Sequence, residues 1–319
     1  MRFIIILFSF GMLLSCNQES KVEAEISKID IDFVVERFDM AMHEAEAKDL
    51  PMLKEAYPFM FPDRYDDAFW IARMQDTLQQ ELITESTKAF DDFIDEEDDI
   101  TKLFQHLKYY FPEFSTPRVI TTTSSVDYRN KVIATDTIVL ISIDTYLGKD
   151  HEFYQGIQHY LRQNFEREQM VVDMANAYAE KYAFQVNRKT LLDEMVYFGK
   201  LLYFKDIMIP FKSDAQKIGY TDEQMEWAKS NEFFIWNHFI DKELLYSTDS
   251  KLPSRFINPA PFSKFYLEVI DRESPGRIGQ FIGWQIVKSY MANNDVGLKD
   301  MMTKEPVEIF NNSKYKPQK

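Results

Sequence analysis

One block in the middle of this chain is dense in β-structure, and nearly everything after it reads as helix. Arg118-Val-Ile-Thr-Thr-Thr and Asp136-Thr-Ile-Val-Leu-Ile-Ser-Ile-Asp144 are dense in β-branched residues, with a polar turn region from Ser124 to Asn130 between them. They predict a hairpin or two adjacent strands. The second is apolar at almost every position, as expected of a strand covered on both faces. Near the start, Ile29 to Asp39 alternates apolar and acidic residues before the period changes, which predicts an opening strand leading into a helix over Asp39 to Ala47. Asp66 to Phe90 lacks proline and glycine and is amphipathic, predicting one long helix. Further helices are predicted over His159 to Gln163, Phe165 to Lys181, Lys189 to Lys205, Thr221 to Ser230, Asn231 to Leu245 and Arg277 to Ala292. Pro51 to Pro62 reads as an ordered aromatic loop, and Lys251 to Pro261 as a loop over the surface. The fold class is therefore α+β and mostly α, with helices around a small central strand group.

Composition removes several functions. With 37 Lys and Arg against 52 Asp and Glu, the net charge of −15 argues against a nucleic-acid-binding protein, which relies on a clustered cationic surface. Only nine glycines occur, and neither a G-x-G-x-x-G nor a P-loop spacing is present, so no glycine-rich phosphate cradle is predicted. Residues 91–99 hold seven carboxylates in nine positions but lack the spacing and turn glycine of a calcium loop. A helix N-terminus ahead of Ile100 to Tyr110 is the preferred reading, because acidic groups favour that end of the helix dipole. Asp193-Glu194 and Asp222-Glu223 read in the same way.

The single cysteine, Cys16, closes an apolar run from Phe3 to Leu14 that follows Arg2. A run of about a dozen residues suits a signal peptide and falls short of the ~20 a membrane-spanning helix needs. Leu13-Leu14-Ser15-Cys16 resembles a bacterial lipobox, whose cysteine carries acyl chains such as palmitate after cleavage. The expected organisation is a signal peptide over residues 1–15, lipidated Cys16 with a flexible stalk to residue 28, and a single domain over residues 29–319.

Catalytic signatures are sparse. His43-Glu44 and His151-Glu152 each begin an H-E-x-x-H zinc motif and each lack its second histidine, and no G-x-S-x-G elbow is present. Neither a catalytic residue nor a metal or other cofactor is assigned. Gly279-x-x-x-Gly283 reads as a close helix contact, Trp236, Trp284 and Tyr203 as core, and Lys200 as a lysine snorkelling from a helix.

Several strings taken together resemble a known family. They are the lipobox, Tyr57-Pro-Phe-Met-Phe-Pro62, Tyr146-Leu-Gly148, Leu191-Leu-Asp-Glu-Met-Val-Tyr-Phe-Gly-Lys-Leu-Leu-Tyr203 and Pro275-Gly-Arg-Ile-Gly-Gln-Phe-Ile-Gly-Trp-Gln-Ile-Val-Lys-Ser-Tyr-Met291. They resemble the GldB gliding-motility lipoproteins of Bacteroidetes, over essentially the whole chain. The resemblance implies a membrane-tethered lipoprotein required for gliding. The missing catalytic and metal-ligand sets make it non-enzymatic, and Asn17-Gln-Glu-Ser20, which forms no acidic surface-export signal, favours a body in the periplasm, with the outer membrane as the favoured membrane. Its partners would be other gliding-motility or type IX secretion proteins and, through the anchor, a membrane. A weaker similarity is to zincin-type peptidases. Laid on this chain, it puts Asp173, Met174 and Ala177 where histidine, glutamate and histidine belong, and Phe198 before Gly199 where a third ligand belongs. Only Asp173 could coordinate zinc, so the similarity implies a degenerate site in a pseudo-metallopeptidase. The alternatives are a lipid-anchored zincin-like peptidase or other hydrolase, or a periplasmic ligand-binding module.

Overall fold

The computed structural model describes residues 21–186 and 188–318, so the expected signal peptide and Cys16 lie outside the described residues. Residues 21–26 are helical, Ile26 is buried, and Glu23 lies 3.3 Å from the His106 ring. Packed structure therefore begins before Ile29, inside the stretch expected as stalk.

The opening strand, β1, is confined to Val35–Arg37 and runs straight into α1 (Phe38–Glu44). In α2 (Leu50–Ala56), Pro51 occupies the first turn, where its missing N–H has no intrahelical partner to lose. The pattern from Asp66 to Phe90 is two helices rather than one, α3 (Asp67–Met74) and α4 (Thr77–Ala89). The Asp66 carboxylate accepts the Phe69 N–H, and the Asp76 carboxylate accepts the Gln79 N–H. A second capping aspartate within an unbroken amphipathic pattern thus starts a new helix. Next comes α5 (Ile94–Tyr110), whose first turn holds Asp95, Glu96 and Glu97 from inside the acidic run. Three acids of that run have ion-pair partners: Glu96 pairs with Arg167 at 2.7 Å, Asp98 with Lys102 at 2.5 Å and Asp99 with Lys212 at 2.6 Å.

The sheet is completed by β2 (Arg118–Thr122), β3 (Val132–Ala134) and β4 (Ile138–Ser142), in the order β1-β2-β4-β3. β1, β2 and β4 are parallel, with Val119 opposite Val139, while β3 is an antiparallel edge strand. The two β-rich stretches are therefore adjacent but parallel. The hairpin belongs to the short β3, which its sequence does not announce. On one face Val119, Val139 and Ile141 join the main core. On the other, Ile120, Ile138 and Leu140 meet a smaller cluster that includes Phe38, Phe61 and Trp70. Covering on both faces accounts for the continuous apolar run of β4.

The rest of the chain is helical: α6 (His159–Arg162), α7 (Met170–Tyr182), α8 (Leu191–Met208), α9 (Asp214–Ile218), α10 (Asp222–Ser230), α11 (Glu232–Asp241), α12 (Glu268–Glu273), α13 (Ile278–Asn293), α14 (Leu298–Thr303) and α15 (Pro306–Ser313). α8 opens with a capping box in which Asp193 accepts the Thr190 N–H, so Asp193 serves a helix start as expected. α8 and α13 are apolar around most of their circumference and form the centre of the core, where Met195, Phe204, Ile282 and Trp284 are buried. Glycine permits their approach. A Cβ on Gly283 would sit 1.8 Å from the Met195 carbonyl oxygen, and one on Gly199 would sit 2.3 Å from the Gly283 carbonyl oxygen.

Two expectations are corrected here. Lys251 to Pro261 is no surface loop: it contains a π-helical turn at Pro253–Ile257, and Leu252, Phe256 and Ile257 are buried. Its prolines break regular helix, but its apolar side chains still anchor it inward. Lys200 does not snorkel either. It is fully buried and its ammonium donates to the Lys304 carbonyl.

Candidate functional site

The positions that the zincin similarity brings together do not converge on one centre. On α7, Asp173 accepts a 2.9 Å hydrogen bond from the Tyr146 hydroxyl and pairs with the Lys131 ammonium. Burial and the Asp173 charge hold the Tyr146 hydroxyl well above its ordinary pKa, so it remains a donor. Met174 is buried in the core and Ala177 is half-buried. Phe198 sits edge-on to Tyr197 beside the Arg188 guanidinium, and Gly199 is spent on the α8–α13 contact. Among the described residues, no group of three or more His, Cys, Asp or Glu side chains is placed to hold a metal ion.

The Tyr146-Leu-Gly148 string is structural. Asp144 is fully buried and accepts the Ser124 N–H at 3.0 Å and the Val126 N–H at 2.7 Å. It thereby fixes a turn in which Ser125 and Val126 both adopt positive φ, 58° and 60°. The Tyr154 hydroxyl donates to the Asp144 carbonyl and accepts the Leu147 N–H.

Among the described residues, three concavities combine their shape with a distinctive lining. The first, about 250 Å³, lies at the C-terminal ends of β1 and β2, where open parallel sheets commonly bind ligands. Phe38, Met42, Tyr65, Trp70 and Met74 line it, and the Trp70 Nε1 and His43 Nδ1 atoms there are buried without a hydrogen-bond partner. The prolines and aromatics of residues 51–62 signalled order, but the alignment of that segment with the strand ends is a product of the fold.

The second is a groove of about 380 Å³ between α10, α11 and residues 265–270, lined by Trp227, Phe234, Ile235, Phe265, Leu267 and Ile270. Phe234 is 67% exposed and Leu267 48%. Such exposure of large side chains around one groove marks a contact surface more often than an accident of packing. At its wall, burial lowers the His238 pKa and so favours the neutral ring.

The third, about 160 Å³, opens beside Asp173 and is lined by cations from α8, from α9 and from the residues just before β3 and α13. No motif announces it, because its charges are scattered from Lys131 to Arg277.

A family model described as gliding motility protein GldB matches residues 19–317. No curated protein and no solved structure matches the chain.

Proposed function

Because this chain belongs to the GldB family of gliding motility proteins, we propose that it is a lipid-anchored envelope component that acts by binding other proteins of the gliding and type IX secretion apparatus, without catalysis. The observation that carries the contact reading is the apolar groove beside α11, where Phe234, Leu267 and Ile270 face solvent around a concave floor. Support for a non-catalytic role comes from Asp173, whose carboxylate is already engaged by an ammonium and a phenol. Cys16 carries the lipid in this reading, and the folded body, which takes in the helical residues 21–26, works as one unit on the periplasmic face of the outer membrane. No helix among the described residues is long and apolar enough to cross a membrane, which fits attachment by acyl chains.

Crosslinking followed by mass spectrometry in the native envelope tests the proposal. Gliding or secretion components should be recovered with the wild type. Phe234→Glu should lose most of those crosslinks while its thermal midpoint stays within about 2 °C, since an exposed substitution changes stability by only ~0.5 kcal/mol. Recovery of no such component from the wild type overturns the reading, and stoichiometric zinc or casein cleavage overturns its non-catalytic part. Cys16→Ser should shift the protein from the membrane pellet to the supernatant on fractionation. Retention in the pellet after a high-salt wash would reject the lipid as the anchor.

A further inference from the structure

In a chain of net charge −15, the cavity beside Asp173 has the opposite balance. Lys131, Lys205, Lys217 and Arg277 line it, against one carboxylate, Asp173. Lys205 and Lys217 are only 7% and 6% exposed, so these are not charges that happen to border a surface dent.

Two of the four are neutralised. Lys131 pairs with Asp173, and Lys217 lies 3.1 Å from Asp206. The other two are not: the Lys205 ammonium donates to the Lys217 carbonyl at 3.0 Å and the Arg277 guanidinium to the Gly219 carbonyl at 2.8 Å. Among the described residues, neither has a carboxylate within ion-pair distance. Desolvating an ammonium without a counter-charge costs several kcal/mol, and the fold adds to that cost. Arg277 sits at φ 61°, a left-handed conformation that strains any residue with a side chain, just before α13. Its Gly219 acceptor is itself left-handed at φ 71° and also accepts from Gln163 and Asn164. Two left-handed turns therefore meet where an unpaired guanidinium and an unpaired ammonium enter one cavity.

We propose that this cavity binds a compact oxyanion of the phosphate class, held between the Lys205 ammonium and the Arg277 guanidinium. The guanidinium offers a planar fork that matches two oxygens of a tetrahedral anion, and the ammonium supplies a point charge. About 160 Å³ is well below the ~300 Å³ at which pockets for drug-sized ligands begin, so a nucleotide is too large and a single phosphate group fits. Asn164 and Tyr160 add neutral donors in the lining. Asp173 does not oppose the anion as a free charge, because Lys131 and the Tyr146 hydroxyl hold its carboxylate. The phosphate group belongs either to the free ion or to a phosphomonoester lipid headgroup.

Burial lowers the Lys205 ammonium to about 8, a shift opposed by Asp173 and Glu180 on α7 and reinforced by Arg277 and Lys131. A bound anion restores the charged form, so binding at pH 8 takes up a proton.

The test uses the full chain carrying Cys16→Ser, so that lipid insertion does not mask vesicle binding. Calorimetric titration with inorganic phosphate should show one saturable site, absent with chloride at equal ionic strength. At pH 8, two buffers of different ionisation enthalpy should reveal proton uptake. Lys205→Met, and Arg277→Asn, which tolerates positive φ, should each weaken binding at least tenfold. Lys205→Met should also raise the thermal midpoint without phosphate and abolish the proton uptake, a combination that a purely structural lysine would not give. Flotation on phosphatidylcholine vesicles containing phosphatidic acid, if competed by inorganic phosphate, assigns the headgroup. Phosphate binding without flotation assigns the free ion. Binding no stronger than chloride in both assays, or binding equal in wild type and variants, overturns the proposal.

Discussion

Gly283→Ala is expected to destabilise the fold by about 4 kcal/mol, at the upper end of single substitutions, although alanine in a helix is intrinsically favoured over glycine by ~1 kcal/mol. The sign is decided by one distance: a Cβ at Gly283 would lie 1.8 Å from the Met195 carbonyl oxygen on α8, well inside van der Waals contact. A helix backbone cannot swing aside as a side chain can, so α8 and α13 must separate. The neighbouring positions oppose that movement. Gly199 approaches the Gly283 backbone from the other helix, and Gly279 lies so close to the Phe256 carbonyl that a Cβ there would be 2.9 Å from its oxygen. Separation would open gaps around Met195, Ile282 and Trp284, each of which is buried. Urea unfolding of Gly283→Ala and of Gly156→Ala provides the check. A Cβ at Gly156 meets nothing within 4 Å, so that control should stay within about 0.5 kcal/mol of wild type. Equal midpoints for the two variants would mean that the helices are not held at glycine-limited distance.

The same glycines show what was legible in the chain. Gly279-x-x-x-Gly283 on an apolar pattern indicates close helix contact from the sequence alone, because two absent side chains on one face have few other uses. The β-rich block likewise indicates where the sheet lies and that β4 is covered twice. Strand direction was not legible, since β2 and β4 would look alike in either orientation and the pairing partner, β3, is three residues long. The boundary at Asp76 was written in the chain as a capping residue, but it competed with an unbroken amphipathic period. The zincin-like positions failed for a different reason. Spacing along α7 and α8 says where residues could face, whereas Asp173 is claimed by Lys131 and Tyr146, which come from the sheet end of the molecule. The cationic cavity was invisible because its charges are scattered along the chain and converge only in three dimensions. An excess of acid over the whole chain concealed a local excess of base.

Stability in phosphate-free buffer should rise, not fall, as the pH is raised from 8 to 9.5. Lys200 and Lys205 both have their ammonium groups lowered by burial from 10.5 to about 8. The unfolded chain therefore keeps these two protons until pH 10.5, while the folded chain sheds them near pH 8. In that interval the unfolded state binds more protons, so each lysine adds up to ~1.4 kcal/mol of stability per pH unit, or about 2 kcal/mol by pH 9.5. Above pH 10 the trend reverses, because Tyr182 and Tyr203, pushed up to about 12 by burial, keep protons that unfolded tyrosines release. Urea unfolding at pH 7, 8, 9 and 9.5 measures the slope, and each of Lys200→Met and Lys205→Met should remove about half of it. At pH 7 the two variants should behave alike. Each removes a desolvated ammonium with no ion-pair partner among the described residues, which stabilises, and each strands one carbonyl, that of Lys217 in Lys205→Met and that of Lys304 in Lys200→Met, which offsets part of the gain. A flat profile in the wild type would show that both lysines reach solvent or a counter-charge in the folded protein, and would also remove the desolvation argument from the anion site.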